Sequence, residues 1–115
     1  MTEPDGDFVA VCRLNELEPK RATHVLVAGK NVAVVVTDEG VFAIKDECSH
    51  AEVPLSEGEV EGCMIECWLH GSQFDLRTGR PLTLPATSSV PVYATRIIGS
   101  GDDCVIEVST TPIVI

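Results

Sequence analysis

Two short segments of the chain each combine a cysteine with a histidine. The first is Cys48-Ser49-His50, and the second, after sixteen intervening residues, is Cys67-Trp68-Leu69-His70. Thiolates and imidazoles are the side chains that bind zinc ions and iron–sulfur clusters. One Cys-x-His pair arises often by chance. Two pairs in one Gly- and Pro-rich part of the chain indicate that the segments bind something together.

The donor set leaves two ligands open. Two thiolates and two imidazoles suit a tetrahedral Zn²⁺, or a [2Fe–2S] cluster in which the thiolates hold one iron and the imidazoles the other. In zinc fingers one segment supplies two Cys and another supplies two His, whereas here each segment supplies one Cys and one His. This mixed order lets each loop contact both irons, so it favours the cluster. A zinc-stabilised β module that binds other proteins is the alternative from a different class.

The rest of the chain predicts an all-β domain that positions these segments. Short runs rich in Val and Ile alternate with turn sequences such as Asp38-Glu39-Gly40, which is typical of an antiparallel sandwich or small barrel. A helical turn is predicted only at Leu14 to Lys20, where Pro19 limits it. The predicted strands are residues 8–12, 24–27, 32–37, 41–44, 63–66, 92–98 and 104–108.

Length and charge exclude several classes of function. The 115 residues predict one domain, 1–115, with an inserted ligand-binding subdomain at about residues 46–88. The net charge of −10 would repel phosphate backbones, so nucleic acid is not expected as a partner. The longest apolar run, residues 32–36, is far shorter than the roughly 18 residues of a membrane span. No secretory signal is seen at residues 1–7, and we expect a cytoplasmic protein without a membrane anchor.

Two further features concern charge and cysteine. Eight acidic residues and no Lys or Arg lie between Asp46 and Asp75, so the chain around the Cys/His segments is strongly acidic. Such a surface would favour docking of a basic partner.

The remaining cysteines lie in strand-like sequence, where we expect them to be small buried residues. They are Cys12, Cys63 and Cys104.

The two segments closely resemble those of the Rieske family, in particular its small ferredoxins. The matching text is Cys48-Ser49-His50, Cys67-Trp68-Leu69-His70-Gly71-Ser72 and Phe74-Asp75-Leu76-Arg77-Thr78-Gly79. The resemblance implies one [2Fe–2S] Rieske cluster, with Cys48 and Cys67 on the inner iron and His50 and His70 on the outer iron. We expect four residues next to the cluster: Gly71, where a tight backbone is needed, Trp68, which lies between two ligands, Ser72, and Pro85, which lies in a loop similar to the family's proline loop.

The resemblance further implies a fold and a function. The fold would be a Rieske-type antiparallel β sandwich or barrel with an inserted cluster-binding subdomain. The function would be that of a monomeric one-electron carrier and not of an enzyme. It would take electrons from an NAD(P)H-dependent flavin reductase and pass them to a terminal non-haem iron oxygenase. Another acceptor, such as a monooxygenase, a nitrite reductase or iron–sulfur assembly machinery, is the alternative within electron transfer.

Departures from the respiratory members of the family bear on the reduction potential. Those members carry an additional cysteine in each cluster loop, joined as a disulfide, and none stands in residues 51–54 or at Leu69. They also place a Ser two residues and a Tyr four residues after the second His, and here Ser72 is present but Phe74 replaces the Tyr. We therefore expect a potential in the lower part of the Rieske range of about −150 to +300 mV.

Overall fold

The computed structural model describes residues 8–48, 53–69, 71–84 and 88–113. Almost all regular structure in these ranges is strand, which confirms the predicted all-β class. Two 3₁₀ turns occur, at Leu14–Glu16 and Leu55–Glu57. The strands are β1 (Phe8–Arg13), β2 (Ala22–Val27), β3 (Lys30–Thr37), β4 (Gly40–Lys45), β5 (Val60–Glu61), β6 (Met64–Glu66), β7 (Gln73–Asp75), β8 (Val92–Ile98) and β9 (Val105–Pro112).

Six strands form one large antiparallel sheet in the order β1-β9-β8-β4-β3-β2. Tight turns join β2 to β3 and β3 to β4, as their registers show in the pairing of Val27 with Lys30 and of Thr37 with Gly40. The two edge strands, β1 and β2, also contact each other, so the sheet is nearly closed. Closure removes most of the unpaired strand edge that would otherwise invite pairing with another chain.

Strand β3 separates two apolar cores. Its residues 32–35 are all fully buried, which explains the uninterrupted apolar run in the sequence. The side chains of Val32 and Val34 lie on one face of β3, where they pack with Ile106 and Val108 of β9. The alternate residues of β3 point the other way, because successive side chains of a strand face opposite sides. They pack against the inserted segment between β4 and β8.

The inserted segment contains a small antiparallel sheet in the order β5-β6-β7. Residues 80–83 extend it, since Asp75 N–H donates to the Arg80 carbonyl at 2.9 Å and Leu82 N–H donates to the Gln73 carbonyl at 2.6 Å. Strands of two or three residues leave no alternating pattern, and the sequence did not indicate β5 or β7. The expected helical turn is also shorter than predicted, ending at Glu16 instead of Lys20.

Neither of the two 3₁₀ turns is long or apolar enough to cross a membrane, and the described residues contain no helix that is.

Candidate metal centre

The first cysteine of the pattern lies just beyond the end of β4. Cys48 is buried, with 3% of its surface exposed. Its N–H donates to the carbonyl of Val53 at 3.0 Å. This hydrogen bond joins the two described residues that flank residues 49–52, and His50 lies outside the described residues. The backbone therefore fixes both ends of the first ligand loop.

The second cysteine directly follows β6. Cys67 is fully buried, and its N–H donates to the Ser72 carbonyl at 2.7 Å. Its own carbonyl accepts from Gly71 N–H at 2.9 Å. Gly71 has φ +77°, a left-handed conformation that side chains disfavour, so a glycine suits this tight turn. His70 lies outside the described residues.

The fold brings the two cysteines into one buried cluster. Cys48 and Cys67 belong to the same core, together with Leu55, Ile65 and Phe74. All five cysteines of the chain are described, and none forms a disulfide. Both cysteines are thus reduced and lie in one buried core. Within the described ranges no three His, Cys, Asp or Glu residues are grouped as a metal site, since both histidines of the pattern fall outside them.

These residues fit a [2Fe–2S] cluster. Two reduced cysteines in one apolar core suit an iron–sulfur cluster, because thiolates are soft ligands for iron. A histidine follows each cysteine within three positions, in a loop whose ends the backbone holds. The arrangement needs no further ligand from the described part of the chain.

Around the second loop the structure separates a buried side from an exposed side. Ser72 is fully buried, whereas Trp68 is 50% exposed. Three leucines of the inserted segment are also exposed. Pro85 lies outside the described residues, but the strand-like segment before it is held at Thr83, whose hydroxyl accepts from Gln73 N–H at 2.9 Å. We call Trp68 and these leucines the apolar rim, which consists of Trp68, Leu69, Leu82 and Leu84.

The other three cysteines are placed close to expectation. Cys63 and Cys104 are buried, and Cys12 is half-buried. Burial raises the pKa of the Cys63 thiol, an effect that the nearby Arg77 guanidinium opposes. Burial, reinforced by the charge of Glu16, also raises the pKa of Cys12. Both residues therefore stay protonated thiols at neutral pH, which suits packing and not metal binding.

One buried acidic residue near Cys48 is not indicated by the sequence pattern. Asp46 is only 6% exposed, and both of its carboxylate oxygens accept hydrogen bonds from Ser56. The sequence showed Asp46 only as one acid among eight. Its position at the end of an apolar strand, two residues before Cys48, was the available signal.

Comparison with known proteins identifies the family. Residues 7–94 match the Rieske [2Fe–2S] domain, and the chain belongs to this family. Its cofactor is one [2Fe–2S] cluster. The chain is 37% identical over 93 residues to the biphenyl dioxygenase ferredoxin subunit of Pseudomonas sp. (strain KKS102), covering 80% of this chain and 85% of that protein.

Solved structures agree with this assignment. The ferredoxin of carbazole 1,9a-dioxygenase from Nocardioides aromaticivorans IC177 superposes with a TM-score of 0.81 at 37% identity, over 90% of this chain and 98% of that one. A ferredoxin complexed with the oxygenase of carbazole 1,9a-dioxygenase gives 0.81 at 28% identity, over 93% and 96% of the two chains. The nitrite reductase small subunit from Mycobacterium tuberculosis, described as putative and NADH-dependent, gives 0.80 at 27%, over 93% and 97%. The chain is thus similar to ferredoxin components of dioxygenase systems, and its fold also occurs elsewhere.

Proposed function

We propose that this protein carries single electrons from an NAD(P)H-dependent flavin reductase to the terminal oxygenase of a dioxygenase system. The observation that carries the proposal is the convergence of Cys48 and Cys67 in one buried core at the base of two loops. Dioxygenase ferredoxins among its relatives support the choice of acceptor. On this proposal the chain itself transforms no organic substrate.

The ligands in this proposal are Cys48, His50, Cys67 and His70. A bound [2Fe–2S] cluster would accept and return one electron, at a potential raised by neutral imidazoles in place of thiolates. The chain's own residues bury the cysteine side of the site, since both thiols are almost inaccessible to solvent. The fixed loop ends limit the rearrangement that accompanies electron transfer.

The apolar rim is where we expect the acceptor to dock. Trp68 and Leu69 lie between the two residues proposed as ligands in the second loop, and both are exposed. Exposed aromatic residues with neighbouring aliphatic groups are typical of binding hot spots. Docking there would place the acceptor close to the histidine side of the cluster. Exposed acids, Glu57, Glu59 and Glu61, lie in the same inserted segment and would steer a basic partner.

The proposal is tested by reconstituting electron transfer. The cluster-loaded chain is added to NADH and to the reductase and oxygenase components of a biphenyl dioxygenase, in place of the native ferredoxin. We expect product formation that depends on the added chain and is lost in Cys67→Ser. Trp68→Ala should lower kcat/KM about tenfold or more while leaving the visible spectrum unchanged. Rapid reduction of a nitrite reductase together with no transfer to the oxygenase would contradict the proposed acceptor.

A further inference from the structure

Within the described residues, the buried carboxyl group of Asp46 accepts hydrogen bonds from Ser56. The backbone N–H of Ser56 donates to Oδ1 at 2.6 Å, and the hydroxyl of the same serine donates to Oδ2 at 2.7 Å. A buried carboxylate requires such donors, because desolvation without them is costly. Both oxygens therefore have a hydrogen-bond donor. We call this pair of hydrogen bonds the Asp46–Ser56 clamp.

The clamp connects the large sheet to the inserted segment. The backbone N–H of Asp46 donates to the carbonyl of Asn31 in β3 at 3.0 Å, so the large sheet holds this residue. Ser56 lies in the 3₁₀ turn Leu55–Glu57, and Leu55 is fully buried in the core that contains both cysteines. The chain between Asp46 and Ser56 includes the whole first ligand loop. The clamp therefore joins the two ends of this segment.

The same turn is also fixed to the second ligand loop. Gly58 lies so close to the carbonyl of Glu66 that a Cβ at this position would overlap it. The N–H of Glu66 donates to the carbonyl of Glu59 at 2.8 Å. Glu66 directly precedes Cys67. The turn thus stands between the two loops, joined to the first by the clamp and to the second by residues 58 and 59.

We propose that Asp46 and Ser56 are positioning residues that hold the first ligand loop at a fixed distance from the second. This inference rests on the ligand set proposed above. A four-ligand cluster bridging two loops is retained only while both loops stay in place. Loss of the clamp would leave a buried carboxylate short of a donor and would release the first loop toward solvent. Neither residue is itself a ligand.

The test compares two substitutions at one site with a matched control elsewhere. Ser56→Ala removes the hydroxyl donor, whereas Ser56→Thr keeps both donors. Ser109→Ala is the control, because Ser109 is 2% exposed in β9 and its hydroxyl donates to the Thr111 carbonyl at 3.1 Å. Each loaded protein is mixed with excess EDTA below its unfolding temperature, and the decay of visible absorbance is followed. EPR spectra of the dithionite-reduced proteins are recorded in parallel.

We expect Ser56→Ala to lose its cluster about tenfold faster than the wild type, as the loss of one buried hydrogen bond implies. Its EPR signal should shift or broaden, because the ligand loop is less well fixed. Ser56→Thr should restore both properties, and Ser109→Ala should leave both unchanged. Asp46→Asn should act in the same direction as Ser56→Ala, and if it does not fold, the serine variants decide.

Two results would overturn the inference, and they are distinguishable. If Ser56→Ala matches Ser109→Ala in decay rate and EPR signal, the clamp does not position the loop, while the proposed ligand set stands. If the wild type itself takes up no cluster under the same loading conditions, the proposed ligand set is wrong and the positioning role falls with it.

Discussion

At the scale of single residues, two buried side chains next to the second ligand loop are expected to set the reduction potential. Ser72 is fully buried one residue after Gly71, and Phe74 is fully buried in the common core. In high-potential members of the family, a Ser and a Tyr at these two positions donate hydrogen bonds that raise the potential. Here only the serine can do so. This difference is the reason for expecting a potential in the lower part of the family range.

Replacing Ser72 with alanine should therefore lower the potential. If its hydroxyl stabilises the reduced state by about 1.4 kcal/mol, the one-electron potential falls by about 59 mV. Redox titration followed by EPR measures this shift. The Ser109→Ala variant, which removes a buried hydroxyl from the large sheet, is the control and should titrate like the wild type. A potential that is unchanged in Ser72→Ala would show that this hydroxyl does not act on the cluster.

The raised pKa of Cys63 leads to a prediction about reactivity. Because burial is the main cause of the shift, the thiol stays protonated in the folded protein up to a pH above its ordinary value of 9.0. Only the thiolate is a nucleophile, so iodoacetamide should label Cys63 at least about tenfold more slowly at pH 8 in the folded protein than in urea. Peptide mapping by mass spectrometry measures both rates. Equal rates would mean that the thiol is neither buried nor protonated as described.

At the scale of structural elements, close backbone approaches hold the inserted segment together. Gly79 ends the turn after β7, and its N–H donates to the Asp75 carbonyl at 2.6 Å. Its carbonyl accepts from Val90 N–H at 2.8 Å. A Cβ at Gly79 would overlap the Val90 carbonyl. The glycine thereby lets the small sheet and the chain entering β8 come into contact.

Gly79→Ala should destabilise the protein more than Gly29→Ala. The two glycines have similar φ values, +77° and +82°, but the space around Gly29 is open. Both substitutions incur backbone strain of about 1–3 kcal/mol. Only Gly79→Ala also forces the backbone of Val90 to move, so we expect its free energy of unfolding to fall further, by about 1 kcal/mol or more. Urea unfolding followed by circular dichroism compares them. If the two variants lose the same free energy of unfolding, the close approach of Gly79 to the Val90 carbonyl would be refuted.

The same elements show what the sequence could predict. Runs such as residues 32–37 and 92–98 are long enough to reveal a strand by composition, and the observed strands β3 and β8 cover them. The strands β5 and β7 are too short to leave a pattern. The Cys/His segments were recognisable because their spacing is local. The Asp46–Ser56 clamp joins residues ten apart through a tertiary contact, which no local pattern encodes.

At the scale of the whole molecule, charge should govern the encounter with partners. The chain carries a net charge of −10, and the inserted segment between Asp46 and Asp75 contains no Lys or Arg. Long-range attraction to a basic partner increases association rates by about tenfold to a thousandfold at low salt. Salt screens this attraction, because the Debye length falls to about 3 Å at 1 M ionic strength. Electron transfer should accordingly depend on ionic strength.

We expect the second-order rate of transfer to the oxygenase to fall at least about tenfold between low and high salt. Stopped-flow absorbance of the reduced protein mixed with the oxidised oxygenase measures this rate. Glu57→Gln with Glu59→Gln should weaken the salt dependence, because both exposed charges lie near the first ligand loop. A rate independent of ionic strength would show that the acidic segment does not steer the partner.

We propose that Cys48, His50, Cys67 and His70 hold a [2Fe–2S] cluster. The most direct measurement is the content of iron, zinc and acid-labile sulfide in anaerobically purified protein, with an EPR spectrum of the dithionite-reduced form. We predict about two irons and two sulfides per chain and the low average g value expected when imidazoles ligate one iron. Stoichiometric zinc without sulfide, reproduced after expression in iron-replete medium, would contradict the claim.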